Sequence, residues 1–354
     1  VIRSTLSDDV RGLAAVLLRR VLIRDEVSLW TNAAASTQHS VKTDLLHVLT
    51  YETNRSIRRK LCDTVGELAS SILEEGEWEE LLPCMFQWIT STNVAHRESA
   101  LRVFEMISLY MATCMTAYFD TTIQQLFQTS LRDGEGHVAL HALRALGMLL
   151  LSLDELDERD RFQPLLPAIL HALHTMHVDG NEEDLVEAME VLIELLEPHA
   201  SFFKPMLVQL VPLMVVLVST GASDGSFGRR QLAMEVLVSI AENAASACRR
   251  FPQNGFVEQV FPLTFHLMLD VNEDTTGDEV DDAWKCSLFP LTFHLMLDVN
   301  EDTTGDEVDD AEDDISNVDV GAEALQRMAQ AIGFKKALPV SFGLVSQYAG
   351  TSTN

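Results

Sequence analysis

A period of roughly 40 to 48 residues, written in apolar helices with one small residue inside each, constrains this 354-residue chain more than anything else in it. The segments DDVRGLAAVLLRR (8–20), SIRRKLCDTVGELA (56–69), AHRESALRVFEMI (95–107), HVALHALRALGML (137–149), DLVEAMEVLIELL (184–196) and RRQLAMEVLVSIA (229–241) superpose on one another. Their small residues are Ala14, Cys62, Ala100, Ala142, Ala188 and Ala233, at spacings of 48, 38, 42, 46 and 45. A second register agrees. Pro83, Pro167, Pro212 and Pro262 each follow an apolar residue inside an apolar run, at spacings of 84 (two units), 45 and 50. Two helices per unit at this period is the pattern of HEAT and armadillo arrays, in which each pair covers its apolar face with its neighbours. The expected fold is therefore all-α: a right-handed α-solenoid of HEAT repeats, an armadillo-like superhelix.

The helical periodicity places the second helices of the pairs near 8–23, 55–74, 94–113, 136–153, 181–197 and 226–249. The first helices fall near 39–52, 77–90, 117–132, 160–177, 200–219 and 255–269. In 94–113, for example, Ala100, Phe104, Ile107 and Met111 form one apolar stripe. Turn signals fall between helices at Asp133-Gly134, Asp179-Gly180-Asn181 and Gly221 to Gly225.

The regularity breaks at FPLTFHLMLDVNEDTTGDEVDDA, which occupies 261–283 and recurs, identical over 23 residues, at 289–311. Solenoid repeats share a pattern rather than an identity, so a recent tandem duplication or an error in gene assembly accounts for the copy. The next small residue, Ala324, lies 91 positions beyond Ala233. Setting aside the 28-residue duplication period leaves 63, one repeat plus an acidic insertion. The organisation expected is a solenoid over 1–269 with an incomplete first repeat, an acidic, partly duplicated insertion over 270–319, a further HEAT helix over 320–338 and an irregular tail over 339–354. Residues 270–319 are expected to resist ordering, with the second copy of the helix (289–298) outside the stack. Beginning on Val and opening with the second helix of a pair, the chain reads as a fragment.

Charge narrows the choice of partner. With 25 Lys and Arg against 54 Asp and Glu the formal net charge is −29. That disfavours direct nucleic-acid binding, where each phosphate contact needs a cation, and favours a basic protein surface. Over half of the excess sits in one place. Asp270, Glu273, Asp274, Asp278, Glu279, Asp281, Asp282, Asp298, Glu301, Asp302, Asp306, Glu307, Asp309, Asp310, Glu312, Asp313 and Asp314 face a single Lys285, a net of −16. Two readings stay open for this segment: a solvated loop held apart by its own charge, or an electrostatic clamp for a basic partner. The apolar run Met206 to Val218 is interrupted by Gln209 and Pro212 and is too short for a membrane span. Five cysteines, odd in number and mostly in apolar context, read as free thiols in a reducing compartment. A soluble, intracellular chain is expected.

Four motifs hint at chemistry and each has a plainer reading. DVNEDTTGDEVDD puts Asp270, Asn272 and Asp274 at EF-hand loop positions 1, 3 and 5. Thr275 stands where the turn glycine belongs, and Asp281 where the final glutamate should be. Gly221-Ala222-Ser223-Asp224-Gly225 matches the nucleophile elbow G-x-S-x-G, which needs a strand before it; a turn between paired helices fits the surrounding register better. His171, His174 and His177 step by three and fan out around a helix instead of converging on a metal. His137 and His141 lie one helical turn apart and read as surface or interhelical histidines. No catalytic residue, metal site or cofactor is expected.

VRGLAAVLLRRVL (10–22) resembles the early helix of importin beta (karyopherin beta) receptors that commonly reads R-Q-x-A-A-V-L-L-R-R, with Gly12 in place of Gln. RRQLAMEVLVSIAENAA (229–245) is similar to the matching segment of the importin-5 (karyopherin beta-3) and importin-4 branch, where an outer helix, an acidic stretch and a helix like GAEALQRMA (321–329) follow. The likeness runs in order over about 8–333 and marks the N-terminal part of such a receptor. It implies carriage without catalysis: a nuclear import receptor that shuttles between cytoplasm and nucleus through the nuclear pore. The implied partners are GTP-bound Ran on the early inner helices (8–23, 55–74, 94–113), phenylalanine-glycine nucleoporins on outer helices, and basic nuclear-localisation-signal cargo, with ribosomal proteins and histones as the class. The acidic segment would sit near Ran or cargo, and neither nucleic acid nor membrane insertion is implied. The alternative is a HEAT-repeat scaffold subunit with no nucleotide-switched partner.

Overall fold

The computed structural model describes residues 7–23, 29–76, 78–220, 227–252, 255–269 and 317–351. Among them are helices and turns and no strand. The chain divides into two units, 1–184 and 185–354, each a stack of helix pairs of the HEAT solenoid class.

In the first unit the longer helices are α1 (Asp8–Ile23), α2 (Ala35–Tyr51), α3 (Arg55–Ile72), α4 (Leu81–Ile89), α5 (Val94–Met106), α6 (Ser108–Cys114), α7 (Gln124–Ser130), α8 (Gly136–Leu151) and α9 (Leu166–Val178), with short helical turns at Leu29–Asn32 and Leu156–Asp160. α2, α4 and α7 pack as first helices on α3, α5 and α8, while α1, α3, α5 and α8 pack on one another in sequence. This second-helix ladder explains the small residues. Cys62, Ala100 and Ala142 are at most 1 % exposed and admit the neighbouring helix. In α1 the register is one residue off: Ala15 is fully buried, whereas Ala14 is half-buried. Gly66 serves the same close approach, since a Cβ there would stand 2.5 Å from the Met106 sulfur.

Local chemistry sets the ends of these helices. Asn54 caps α3 by accepting from the Ile57 amide at 3.1 Å, and Asn93 caps α5 through the Ala95 amide at 3.0 Å. The helix expected over 94–113 breaks at Ile107 (φ −99°, ψ 20°) into α5 and α6, although its predicted stripe of Ala100, Phe104, Ile107 and Met111 is buried as one. The helix expected over 117–132 begins with a 3₁₀ turn and a π turn before α7. The π turn opens at Phe119, whose ring meets Phe162 at 5.0 Å.

The second unit holds most of α10 (Glu182–Phe203), then α11 (Leu207–Ser219), α12 (Phe227–Asn243), α13 (Phe256–Leu269), α14 (Asn317–Ile332) and α15 (Phe334–Thr351). α11 packs on α12, α13 on α14, and α12 on α14, so the ladder of second helices continues within this unit. The stretch Glu182–Ser219 is long and apolar enough by length and composition to cross a membrane. Half of its most apolar window is buried in the fold, His199 is non-helical, and Lys204–Met206 form a 3₁₀ turn. These are core helices of a stack.

Two expectations need correction. The region 270–319 was expected to resist ordering; 270–316 lie outside the described residues, but 317–319 already belong to α14. Asn317 is 6 % exposed and its side-chain oxygen accepts from Gln231 of α12 at 3.2 Å, which anchors the helix start. The tail read as irregular over 339–354 is helical to Thr351. Gly333, at φ +99°, ends α14 with its amide on the Ala329 carbonyl at 2.9 Å and reverses the chain. α15 then folds back on α13 and α14, and Tyr348 stacks on Phe265 at 6.0 Å.

Candidate functional site

The second helices of a HEAT stack present one stripe of side chains to solvent and use the rest for packing. In the first unit, α1, α3, α5 and α8 carry ten Lys or Arg against six Asp or Glu, and the cations are largely committed to neighbours. Arg19 of α1 pairs with Glu67 of α3. Arg102 of α5 donates to Asp63 at 2.9 Å, and Arg58 to Glu98 at 3.0 Å. Arg97 grips Asp133 with two bonds of 2.7 and 3.0 Å. Such pairs join successive repeats, and ten cations against six carboxylates leave these four helices with a net charge of +4.

His141 of α8 is 4 % exposed, and its Nδ1 has no hydrogen-bond partner. Burial first, then the positive charges of Arg102, Arg59, Arg144 and Arg55, push its pKa down to about 3, so the ring is neutral at physiological pH. His137, expected as a surface or interhelical group, is both: its side chain is 40 % exposed and its Nδ1 meets the buried Asp184 of α10 at 2.6 Å. Burial raises the Cys62 thiol to about 12, outweighing the hydrogen bond from Ser99.

The second unit is different. From Leu185 onward α10, together with α12 and α14, carries eight Asp or Glu against three Arg, so here the carboxylates are in excess. Glu187, Glu190, Glu194 and Glu197 recur at three-and-four spacing along one stripe of α10. Where α10, α12 and α14 meet there is an open groove of about 640 Å³. Its wall includes Ile193, Glu197, Glu235, Ser239, Glu242, Arg327 and Ala331. Its three carboxylates and one guanidinium leave a net charge of −2.

Arg327 organises this groove. Its Nη1 and Nη2 donate to the two oxygens of Glu235 at 2.9 and 2.8 Å, and its Nε and Nη2 to the two oxygens of Glu242 at 2.9 and 2.8 Å. Glu235 and Glu242 are seven residues apart, two turns of α12, so both carboxylates point the same way. All three side chains remain about a third exposed. The hydrogen bonds to Glu242, then those to Glu235, raise the Arg327 pKa above its already high value, and the group stays charged at every accessible pH. Such a groove can hold cationic side chains.

The carboxylates expected to bind a partner, Asp270 through Asp314, lie outside the described residues, as do the EF-hand-like loops and the duplicated helix. Residues 221–225 lie outside them too. The segment before them is helix α11, so the nucleophile-elbow motif has no strand to stand on. His171 and His174 are exposed and His177 is half-buried on α9, and among the described residues no group of three His, Cys, Asp or Glu could hold a metal ion.

Sequence reasoning did not find the groove. The glutamate spacing on α10 was readable, and so was the seven-residue step from Glu235 to Glu242. Arg327 joins them from 92 and 85 residues away, a pairing that no local pattern displays.

The family described as "IPO5-like, TPR repeats" matches residues 53–213, and that described as "Importin repeat" matches 224–287. Importin subunit beta-3 of Saccharomyces cerevisiae (strain ATCC 204508 / S288c) is 26 % identical over 273 residues, 75 % of this chain and 24 % of the yeast protein. The chain thus spans about a quarter of the length of this curated relative. Among solved structures, Kap121p bound to Nup53p matches with a TM-score of 0.75 at 24 % identity, over 100 % of this chain and 31 % of that one. Kap121p bound to Pho4p matches equally well, over 99 % and 31 %. These structural matches carry the fold.

Proposed function

The chain belongs to the importin beta family, in its IPO5-like branch, and from that premise we propose that it is part of a nuclear import receptor, which takes up basic cargo in the cytoplasm, shuttles through the nuclear pore and releases the cargo to GTP-bound Ran. The observation that carries this reading is the groove of Glu197, Glu235 and Glu242 on the second helices of the second unit. A Lys-rich or Arg-rich segment laid along that face meets the α10 glutamates at helical intervals and gains charge-assisted hydrogen bonds in a partly desolvated site. The segment from Asp270 to Asp314 adds a second, longer-range attraction for the same cargo or for a basic surface of Ran.

GTP-bound Ran is assigned to the second helices α1, α3 and α5 of the first unit. Phenylalanine-glycine nucleoporins are assigned to the first helices. Kap121p, a relative of this chain in fold, has been crystallised with Nup53p, Pho4p, Ste12p and Ulp1p, partners consistent with a carrier. No step of bond making is proposed. Ran release of cargo requires only that the nucleotide-bound state bind the chain in a way the cargo does not share.

Binding of the full chain to Ran loaded with GTP and with GDP, at low and moderate salt, tests this. Selective retention of the GTP form is the expected result. Equal binding, or none to either form, points to the scaffold reading and overturns the receptor.

A further inference from the structure

We propose that Arg327 is the groove's own occupant: its guanidinium fills the place that a cationic side chain of the cargo takes, and cargo binds by displacing it. This deepens the receptor reading and rests on it.

Three observations support the exchange. The fork of Arg327 engages all four oxygens of Glu235 and Glu242, so a Lys or Arg arriving from solvent finds the best acceptors of the groove already in use. The site is not sealed: Arg327, Glu235 and Glu242 are 30, 35 and 34 % exposed, and the groove in front of them is open enough to admit a long side chain. Finally, Arg327 has somewhere to go. Glu323, one turn earlier on α14 and 67 % exposed, already lies 3.6 Å from Nη1, so a rotation of the side chain trades the α12 carboxylates for a surface pair on its own helix. Two arrangements of one long, charged side chain then differ by the contacts that cargo supplies, and only a ligand with its own cation tips the balance.

The consequence is selectivity. A neutral or acidic segment cannot displace Arg327, because nothing it carries would satisfy Glu235 and Glu242. A single weak cation competes at a disadvantage against a tethered guanidinium, and a cluster of cations, which also engages Glu197 on α10, does not. Arg327 thereby sets the threshold of positive charge that a ligand must bring.

The test uses the full chain and a fluorescein-labelled Lys-rich peptide, with affinity read by anisotropy. R327Q is expected to bind about tenfold more tightly than the unmodified chain, as removal of a competing ion pair allows. K335Q removes the same unit of charge from the exposed start of α15 and is expected to change affinity little. E242Q should weaken binding more in the R327Q background than in the unmodified chain, because only there is that carboxylate vacant. R327K, which keeps the charge and loses the fork, is expected to fall between and carries the test should R327Q fail to fold. Binding by R327Q or R327K no tighter than the unmodified chain, or equal tightening by K335Q, overturns the exchange and leaves the receptor reading standing. Failure of the unmodified chain and R327Q alike to bind the peptide overturns both.

Discussion

Gly321 is the position at which one methyl group reports whether α13 and α14 are a packed pair, although 270–316 intervene between them. A Cβ built there lies 2.6 Å from the carbonyl oxygen of Thr264, 2.9 Å from Cγ of Met268 and 3.1 Å from the Met268 amide. Two of those atoms are helix backbone, and Thr264 is fully buried, so the contact cannot be relieved by turning a flexible side chain. Gly321→Ala must push the helices apart, and overpacking of this kind destabilises by about 1–3 kcal/mol. Against it stands the intrinsic preference of a helix for Ala over Gly, about 1 kcal/mol. The net expectation is a loss of about 0–2 kcal/mol. Gly343 in α15 supplies the control, being helical and exposed with nothing within 4 Å of its would-be Cβ. Gly343→Ala should stabilise by about 0.5–1 kcal/mol. Urea unfolding followed by circular dichroism gives the sign, and hydrogen exchange over 256–269 and 317–332 localises it, since stacked repeats open locally. A stabilising Gly321→Ala, or unchanged protection of both peptides, would refute the packing.

Two further outcomes follow from the buried groups. The pKa of His141 is depressed on folding, so the unfolded chain binds a proton near pH 6.5 that the folded chain refuses until about pH 3. Stability is therefore lost as pH falls through this window, by about 2 kcal/mol between pH 7 and 5. His141→Leu should remove that share of the pH dependence, and parallel melting-temperature curves for the two proteins would count against it. Among the described cysteines Cys114 is exposed, whereas Cys62 and Cys248 are buried with thiols pushed up to about 12. Maleimide should label Cys114 in the native state and reach Cys62 and Cys248 only on unfolding, as read by peptide mass; rapid native labelling of Cys62 would show that the α3–α5 contact opens.

The repeat was legible because it is a local signal enforced many times over. Each second helix needs a small residue where its neighbours cross, and each first helix tolerates a proline near its start. A single chain therefore carries several independent readings of one period. The helix that was missed carries the same signal, a proline after an apolar residue, Leu338-Pro339. This proline occupies the sixth position of α15, as Pro212 does in α11. What hid it was the Gly, Ser and Pro content of 338–354, read by propensity alone. Packing of Ala337, Ser341 and Tyr348 against a stack already built outweighs that propensity. The groove is the opposite case. Its glutamates follow helical spacing, but the arginine that turns them into a site arrives through the tertiary fold, from beyond the insertion. Acidic composition pointed to a basic partner and to residues 270–314. The described residues add a second centre of negative charge on α10 and α12, one whose strength the chain itself moderates through Arg327.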